Sequence, residues 1–199
     1  MNRVLAGLLL ASLSALAFAQ NPNPPVRVRG TVEKLENNVL TVKTHDGTAS
    51  IKLADNYTVV GVSRAKIADI GAGKFIGTTT LGERNGSLVA LEVHIFPEAM
   101  RGTGEGHYAW DLKPESKMTN GNVAEVKSVG EDHMLTVQYK GGEQKVLVPS
   151  NAHVVLFGPA DRAELKKGVH IFCVTQKAAD GSLSAARVNV GLKGTTPPM

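Results

Sequence analysis

From Val26 the chain alternates. Val26, Val28 and Val32 fall on one face of an extended segment and Arg27, Arg29, Thr31 and Glu33 on the other. That period of two predicts a half-buried strand, with Gly30 marking a bulge or sharp bend. Asn37-Asn38 predicts a turn, 39–44 a second strand, and His45-Asp46-Gly47 a hairpin into a third at 48–53, where Ala49, Ile51 and Leu53 share the inner face. A short β-like segment follows at 56–62. The period then changes at 63–70, where Ile67 and Ile70 are three apart and Ser63 stands as N-cap; this predicts two helical turns, stopped by Gly71 and Gly73. Segments 74–81 and 87–96 predict a fourth and a fifth strand around Asn85-Gly86, and alternation puts His94 on the outer face of the fifth.

Beyond residue 120 the same order returns. Leu40-Thr41-Val42 matches Leu135-Thr136-Val137, Ile51 and Leu53 match Val146 and Val148, and Gly73 matches Gly168. Ile76 matches Ile171, Ser87-Leu88 matches Ser182-Leu183, and Val93 matches Val188, all at a spacing of 95. The first strand slips to 92 (Glu33 to Glu125), which assigns three extra residues to the turn at 128–133. One spacing held across five elements argues for an internal duplication.

Three strands, a helix and two strands is the order of the OB-fold barrel. The expected fold is therefore all-β with two short helices, as tandem five-stranded OB-like barrels (β-β-β-α-β-β repeated). The first occupies 26–96 and the second 121–190, with an ordered central linker at 97–120 and a loose tail at 191–199. A unit of about 70 residues has a marginal core by itself, so the two should pack on each other or on the linker.

The amino terminus changes the picture of where the protein works. Arg3, an apolar run to Ala17 and the small-x-small pattern Ala17-Phe18-Ala19 predict a signal peptide at 1–19, cleaved before Gln20, and a proline-rich leader at 20–25. Nothing after it is apolar over the roughly 20 residues a spanning helix needs. The protein is thus expected in the periplasm or outside the cell, and not as an integral membrane protein. Without Arg3 the chain carries 21 Lys plus Arg against 18 Asp plus Glu, a dispersed +3 with no basic stripe for nucleic acid. The single cysteine, Cys173, reads as a small core hydrophobe in a buried strand.

Candidate chemistry collects between the halves, from His94 to Asp111. His94, Glu98, Met100 and His107 offer nitrogen, oxygen and thioether donors, with Met118 nearby, a set that suits copper in an oxidising compartment. Arg101 beside Gly102-Thr103-Gly104-Glu105-Gly106 could hold an anion, although the spacing is neither a P-loop nor a dinucleotide fingerprint. Phe96, Tyr108 and Trp110 would line a ligand pocket or, for Trp110 above all, plug the junction between barrels. No catalytic set stands out: Ser63, Ser87, Ser116 and Ser150 sit at caps and turns, and His45 and His133 at hairpins.

The motifs Val26-Arg-Val-Arg-Gly-Thr-Val32, Leu40-Thr-Val-Lys43, Leu53-Ala-Asp55, Ala68-Asp-Ile70 and Glu92-Val-His-Ile-Phe-Pro-Glu-Ala-Met-Arg-Gly-Thr-Gly-Glu-Gly-His107 resemble an exported proteobacterial family. That family has duplicated small OB-like β-barrel domains and no settled function. Its members often carry the label of metal-transporter permease, which a chain without a spanning segment does not support. The leading expectation is a non-enzymatic binding or accessory module of the envelope, acting on a small ligand or a protein partner. The alternatives are a periplasmic metal carrier of copper type, and a hydrolase whose site is assembled from distant positions.

Overall fold

The computed structural model describes residues 24–198, so the expected signal peptide and residues 20–23 of the leader lie outside the described residues. Twelve strands are described. They are β1 (Val26–Glu36), β2 (Val39–Thr44), β3 (Gly47–Arg64), β4 (Phe75–Arg84), β5 (Ser87–Ile95) and β6 (Gly106–Ala109), then β7 (Lys117–Val129), β8 (Asp132–Tyr139), β9 (Gly142–Val148), β10 (His153–Ala160), β11 (His170–Lys177) and β12 (Leu183–Gly191). The protein is all-β. No helix among the described residues is long and apolar enough to cross a membrane.

β1, β2 and β3 form a meander of antiparallel neighbours, but the two strands that close on it come from the far end of the chain. β1 pairs with β11, β11 with β12, and β12 runs parallel to β3, completing a closed five-stranded barrel. Leu40, Val42, Ile51, Leu53, Ile171 and Val188 fill it, each at most 2% exposed. β7, β8 and β9 repeat the meander, and here β4 and β5 close the ring. The closing parallel contact is short, Leu88↔Val146 and Val89↔Leu147. The expected arrangement, in which each half closes on itself, is therefore corrected: each ring takes three strands from one half and two from the other.

The reason lies in β3, which runs 18 residues without a break. Its first part belongs to the ring with β2, whereas Val59–Arg64 pair antiparallel with β10, centred near Val62↔Phe157. β10 in turn lies parallel to β5. The chain thus leaves β3 on the far side of this seam and lays β4 and β5 into the other ring. Val60, Val62, Phe75, Phe96, Val155, Phe157 and Phe172 form a third apolar cluster along the seam.

The registers of the two rings match. Val32 pairs with Val42 as Val123 with Val137, and Lys34 with Thr41 as Glu125 with Thr136, each after a bulge. The counterpart of Glu125 is thus Lys34, at a spacing of 91 rather than 92, and the second hairpin is longer by four residues because its pairing runs on to Val129↔Asp132. Gly30, read as a bend, lies before the bulge and serves another purpose. A Cβ there would meet Lys43 O at 2.2 Å, and at Gly121, its counterpart, Gln138 O at 2.4 Å. The second strand of each ring folds too tightly over the first for any side chain at these two positions.

Two further expectations are corrected. The helices are single 3-10 turns, Ile67–Asp69 and Arg162–Glu164. Ser63 is no cap but a residue of β3, and the first turn starts at Lys66, whose N–H donates to Asp69 Oδ2 at 2.7 Å. Pairing with β10 keeps the chain extended to Arg64, leaving too few residues before Gly71 for a second turn. The tail is packed, not loose: Thr195, Pro197 and Pro198 are buried, and Thr195 O crosses so close to Gly191 that a Cβ there would lie 1.7 Å away.

Cys173 is fully buried in β11, and burial pushes its thiol up to about 12. A thiol that stays protonated and shielded is inert. A disulfide-exchange reagent such as DTNB is expected to leave the folded protein unlabelled at pH 8 and to titrate one thiol in 6 M guanidinium. Rapid labelling of the native protein would contradict the packing of β11.

Candidate functional site

The site is built where the rings face each other across the seam. His94 on β5, Gly77 on β4 and Asn120 on β7 are direct partners, so they form a row across one sheet face. Gly77 is the floor of that row, too crowded for any side chain. A Cβ on it would lie 2.5 Å from Asn120 Oδ1, 3.1 Å from Phe96 Cε2 and 3.3 Å from His94 Nδ1. The matching row of the other ring is Arg29, Phe172 and Asn189, with a phenyl ring at the centre in place of glycine. Between the two lies a cavity of about 500 Å³.

Aromatic rings make much of its wall. His94 stacks on Phe157 with centroids 5.6 Å apart, and Phe96 meets Phe157 edge-on at 5.0 Å. Trp110 and Tyr108 come from the central linker; Trp110 packs against Phe172, and Tyr108 against Trp110. The linker is pinned in three places. β6 pairs with β7, Ser116 Oγ donates to Lys113 O at 2.8 Å and closes the turn after Trp110, and Asp111 accepts from Arg29 at 2.6 Å. Arg27 lies over the Trp110 ring at 4.0 Å.

Buried polar atoms set in this wall lack a protein hydrogen-bond partner. They include Asn120 Oδ1, Asn189 Oδ1, Trp110 Nε1 and His94 Nδ1. Such atoms are uncommon in native interiors, and each one left unsatisfied costs on the order of 1–3 kcal/mol.

Behind His94 stands Glu92, 2% exposed. Its Oε1 accepts from Thr79 Oγ1 at 2.5 Å and lies 3.0 Å from His94 Nε2, off the line of a straight ring hydrogen bond. Burial raises the Glu92 carboxyl, but the charge of His94, hydrogen bonding with His94 and Thr79, and nearby His153 outweigh it and hold it below the usual value. The carboxylate is the middle member here. Nucleophilic activation needs the imidazole in the middle, between hydroxyl and carboxylate, so Thr79, Glu92 and His94 are not a triad.

Of the residues singled out from sequence, His94, Phe96, Met100, Tyr108 and Trp110 line this cavity, as does Met118. Glu98 and Arg101 face elsewhere and hold each other in a two-pronged ion pair, with Arg101 also donating to Gly73 O at 3.0 Å and to Asn122 Oδ1. His107 shares a hydrogen bond with Thr119 Oγ1 at 2.8 Å and stacks on Tyr139. The proposed ligands His94, Glu98, Met100 and His107 therefore divide among three places, and no group of three or more His, Cys, Asp and Glu suited to a metal occurs among the described residues.

His94 itself is a correction: it is fully buried, because Phe157 of β10, the strand beside β5, covers the outer face there. Gly77, Asn120, Asn189, Phe157 and Phe172 went unmarked in the sequence. The asparagines left a signal, since Asn is depleted in strands and both stand inside buried ones. Compared with known families, curated proteins and solved structures, the chain matches no family model, no curated protein and no solved structure.

Proposed function

We propose that the chain is an exported binding protein of the bacterial envelope that holds a small organic ligand between two OB-like barrels. One observation carries this reading: the inter-ring cavity is lined by aromatic rings and by buried polar atoms that no protein group satisfies. At about 500 Å³ it falls within the roughly 300–1,000 Å³ of small-molecule sites, which combine apolar walls with a few convergent polar groups. The OB-like reading is supported by the ring order, first–second–third–fifth–fourth, with third and fifth parallel in both. The matching registers support a duplication whose last two strands were exchanged between halves. Export rests on Arg3, the apolar run and Ala17-Phe18-Ala19. The role is holding, not conversion, because the buried carboxylate and imidazole brace a wall rather than a nucleophile.

A copper-type carrier is the second reading, favoured by one observation: His94, Met100 and Met118 line the same cavity, and imidazole with thioether suits Cu(I). One experiment addresses both. Untagged protein purified from its own envelope without chelator is examined by native mass spectrometry and elemental analysis, beside an Ala186→Phe variant that puts a ring at the cavity lining. The expected result is an organic molecule bound one to one in the wild type and absent from the variant. A stoichiometric metal would replace the first reading with the second. An unliganded mass, together with no thermal shift from any member of a small-molecule panel, would sink the binding reading.

A further inference from the structure

The Asn120 amide limits what can occupy the cavity. Its Nδ2 donates to Thr103 O at 3.1 Å and to Tyr108 Oη at 3.3 Å, so both amide hydrogens are engaged and the group cannot turn over without losing both. Tyr108 Oη in turn donates to Gly104 O at 3.2 Å, which fixes the phenol as the acceptor in that pair. Asn120 Oδ1 is thereby committed as an acceptor, packed over Gly77 and with no protein donor.

His94 is constrained at the other end of the same floor. Nε2 faces the Glu92 carboxylate, which only accepts, so Nε2 keeps its proton. Nδ1 is left as the ring atom turned toward Gly77. Asn189 Oδ1 adds a carbonyl oxygen from the opposite row, and Trp110 Nε1 can only donate. An occupant must therefore offer an O–H or N–H and can use one acceptor lone pair.

Charge and shape narrow the class further. Arg27 lies over Trp110, Arg29 lies 5.2 Å over Phe172, and exposed Arg187 also lines the cavity. Two of the cavity's rings, Trp110 and Phe172, already carry protein cations, so an ammonium is disfavoured. The remaining wall offers ring faces and edges at Phe96, Phe157 and Trp110, against which another flat ring packs well.

We infer that the ligand is a small uncharged aromatic molecule bearing an O–H or N–H donor, of the phenol or indole class, with its donor on Asn120 Oδ1 and its ring among Phe96, Phe157 and Trp110. This rests on the binding reading above. A site built around a hydrogen bond rejects the analogue that lacks it, because the buried partner is then left bare.

Calorimetric titration of the full mature chain with phenol and with toluene, nearly equal in shape, tests this directly. Phenol is expected to bind one to one and at least tenfold more tightly than toluene, and Asn120→Ala should bring phenol down to the toluene level. 4-Ethylphenol is expected to bind more tightly than tyramine, which adds an ammonium. Equal binding of phenol and toluene by the wild type would overturn the donor requirement while leaving a ligand cavity in place. Tighter binding of tyramine would overturn the exclusion of cations. If none of the four binds at millimolar concentration, this inference falls, and a ligand found by native mass spectrometry would show that the binding reading stands without it.

Discussion

Gly121→Ala is expected to destabilise the protein by about 3 kcal/mol, and Gly30→Ala by a similar amount. The added methyl at Gly121 would sit 2.4 Å from Gln138 O and 3.0 Å from Val137 Cγ1, and at Gly30 2.2 Å from Lys43 O. A long side chain could swing aside; a carbonyl held in a strand pair cannot, so the sheet itself must shift. Gly158→Ala is the control, since a Cβ there meets nothing within 4 Å and its backbone is of a kind other residues adopt. It should change stability by no more than about 0.5 kcal/mol. Urea unfolding midpoints with unchanged slope would measure all three. A Gly121→Ala protein as stable as the control would mean that the close crossing of the first two strands is wrong.

Acid is expected to weaken the fold in two stages. His153 is held below the ordinary 6.5 by burial, Arg64 and His94, partly opposed by Glu92, and His107 by burial and Lys117. The unfolded chain then binds more protons than the folded one once pH falls below about 6.5, so stability declines from there through the folded values. Glu92 contributes the second stage. Its folded value lies below 4.5, so its stabilisation is present above 4.5 and is lost as pH falls through the folded value. Glu92→Gln should cost about 3 kcal/mol at neutral pH, because His94 loses a buried partner, should flatten the lower stage, and should deepen the upper one by removing the charge that raises His153. Unfolding free energies from pH 7 to pH 3 for both proteins would check this. An acid profile unchanged by Glu92→Gln would remove Glu92 from the account.

The strands, turns and inward-facing residues of this fold were legible in the sequence because they depend on local pattern. The partnering was not. Ile76 and Ile171, or Val93 and Val188, are alike in type and in inward direction, so alternation is indifferent to which ring each joins. His94 shows the same limit at the site. Alternation correctly turns it away from the core of its own ring, but cannot say that Phe157 from the other half waits there. The linker was marked by its lack of period and its unusual residues, and it does bring Met100, Tyr108 and Trp110 to the cavity. Its charged members, Glu98 and Arg101, brace the linker instead, which no spacing rule distinguishes from ligand binding.

The sharing of strands between halves also sets an order of events during synthesis. When β1, β2 and β3 have left the ribosome, the two strands that complete their ring lie more than a hundred residues further on. β4 and β5 likewise wait for β7, β8 and β9. No stretch of the nascent chain up to residue 148 holds a closed barrel, so the chain stays unfinished while most of it is made. For the export proposed above, that delay leaves the chain without a closed barrel while its first 148 residues are made.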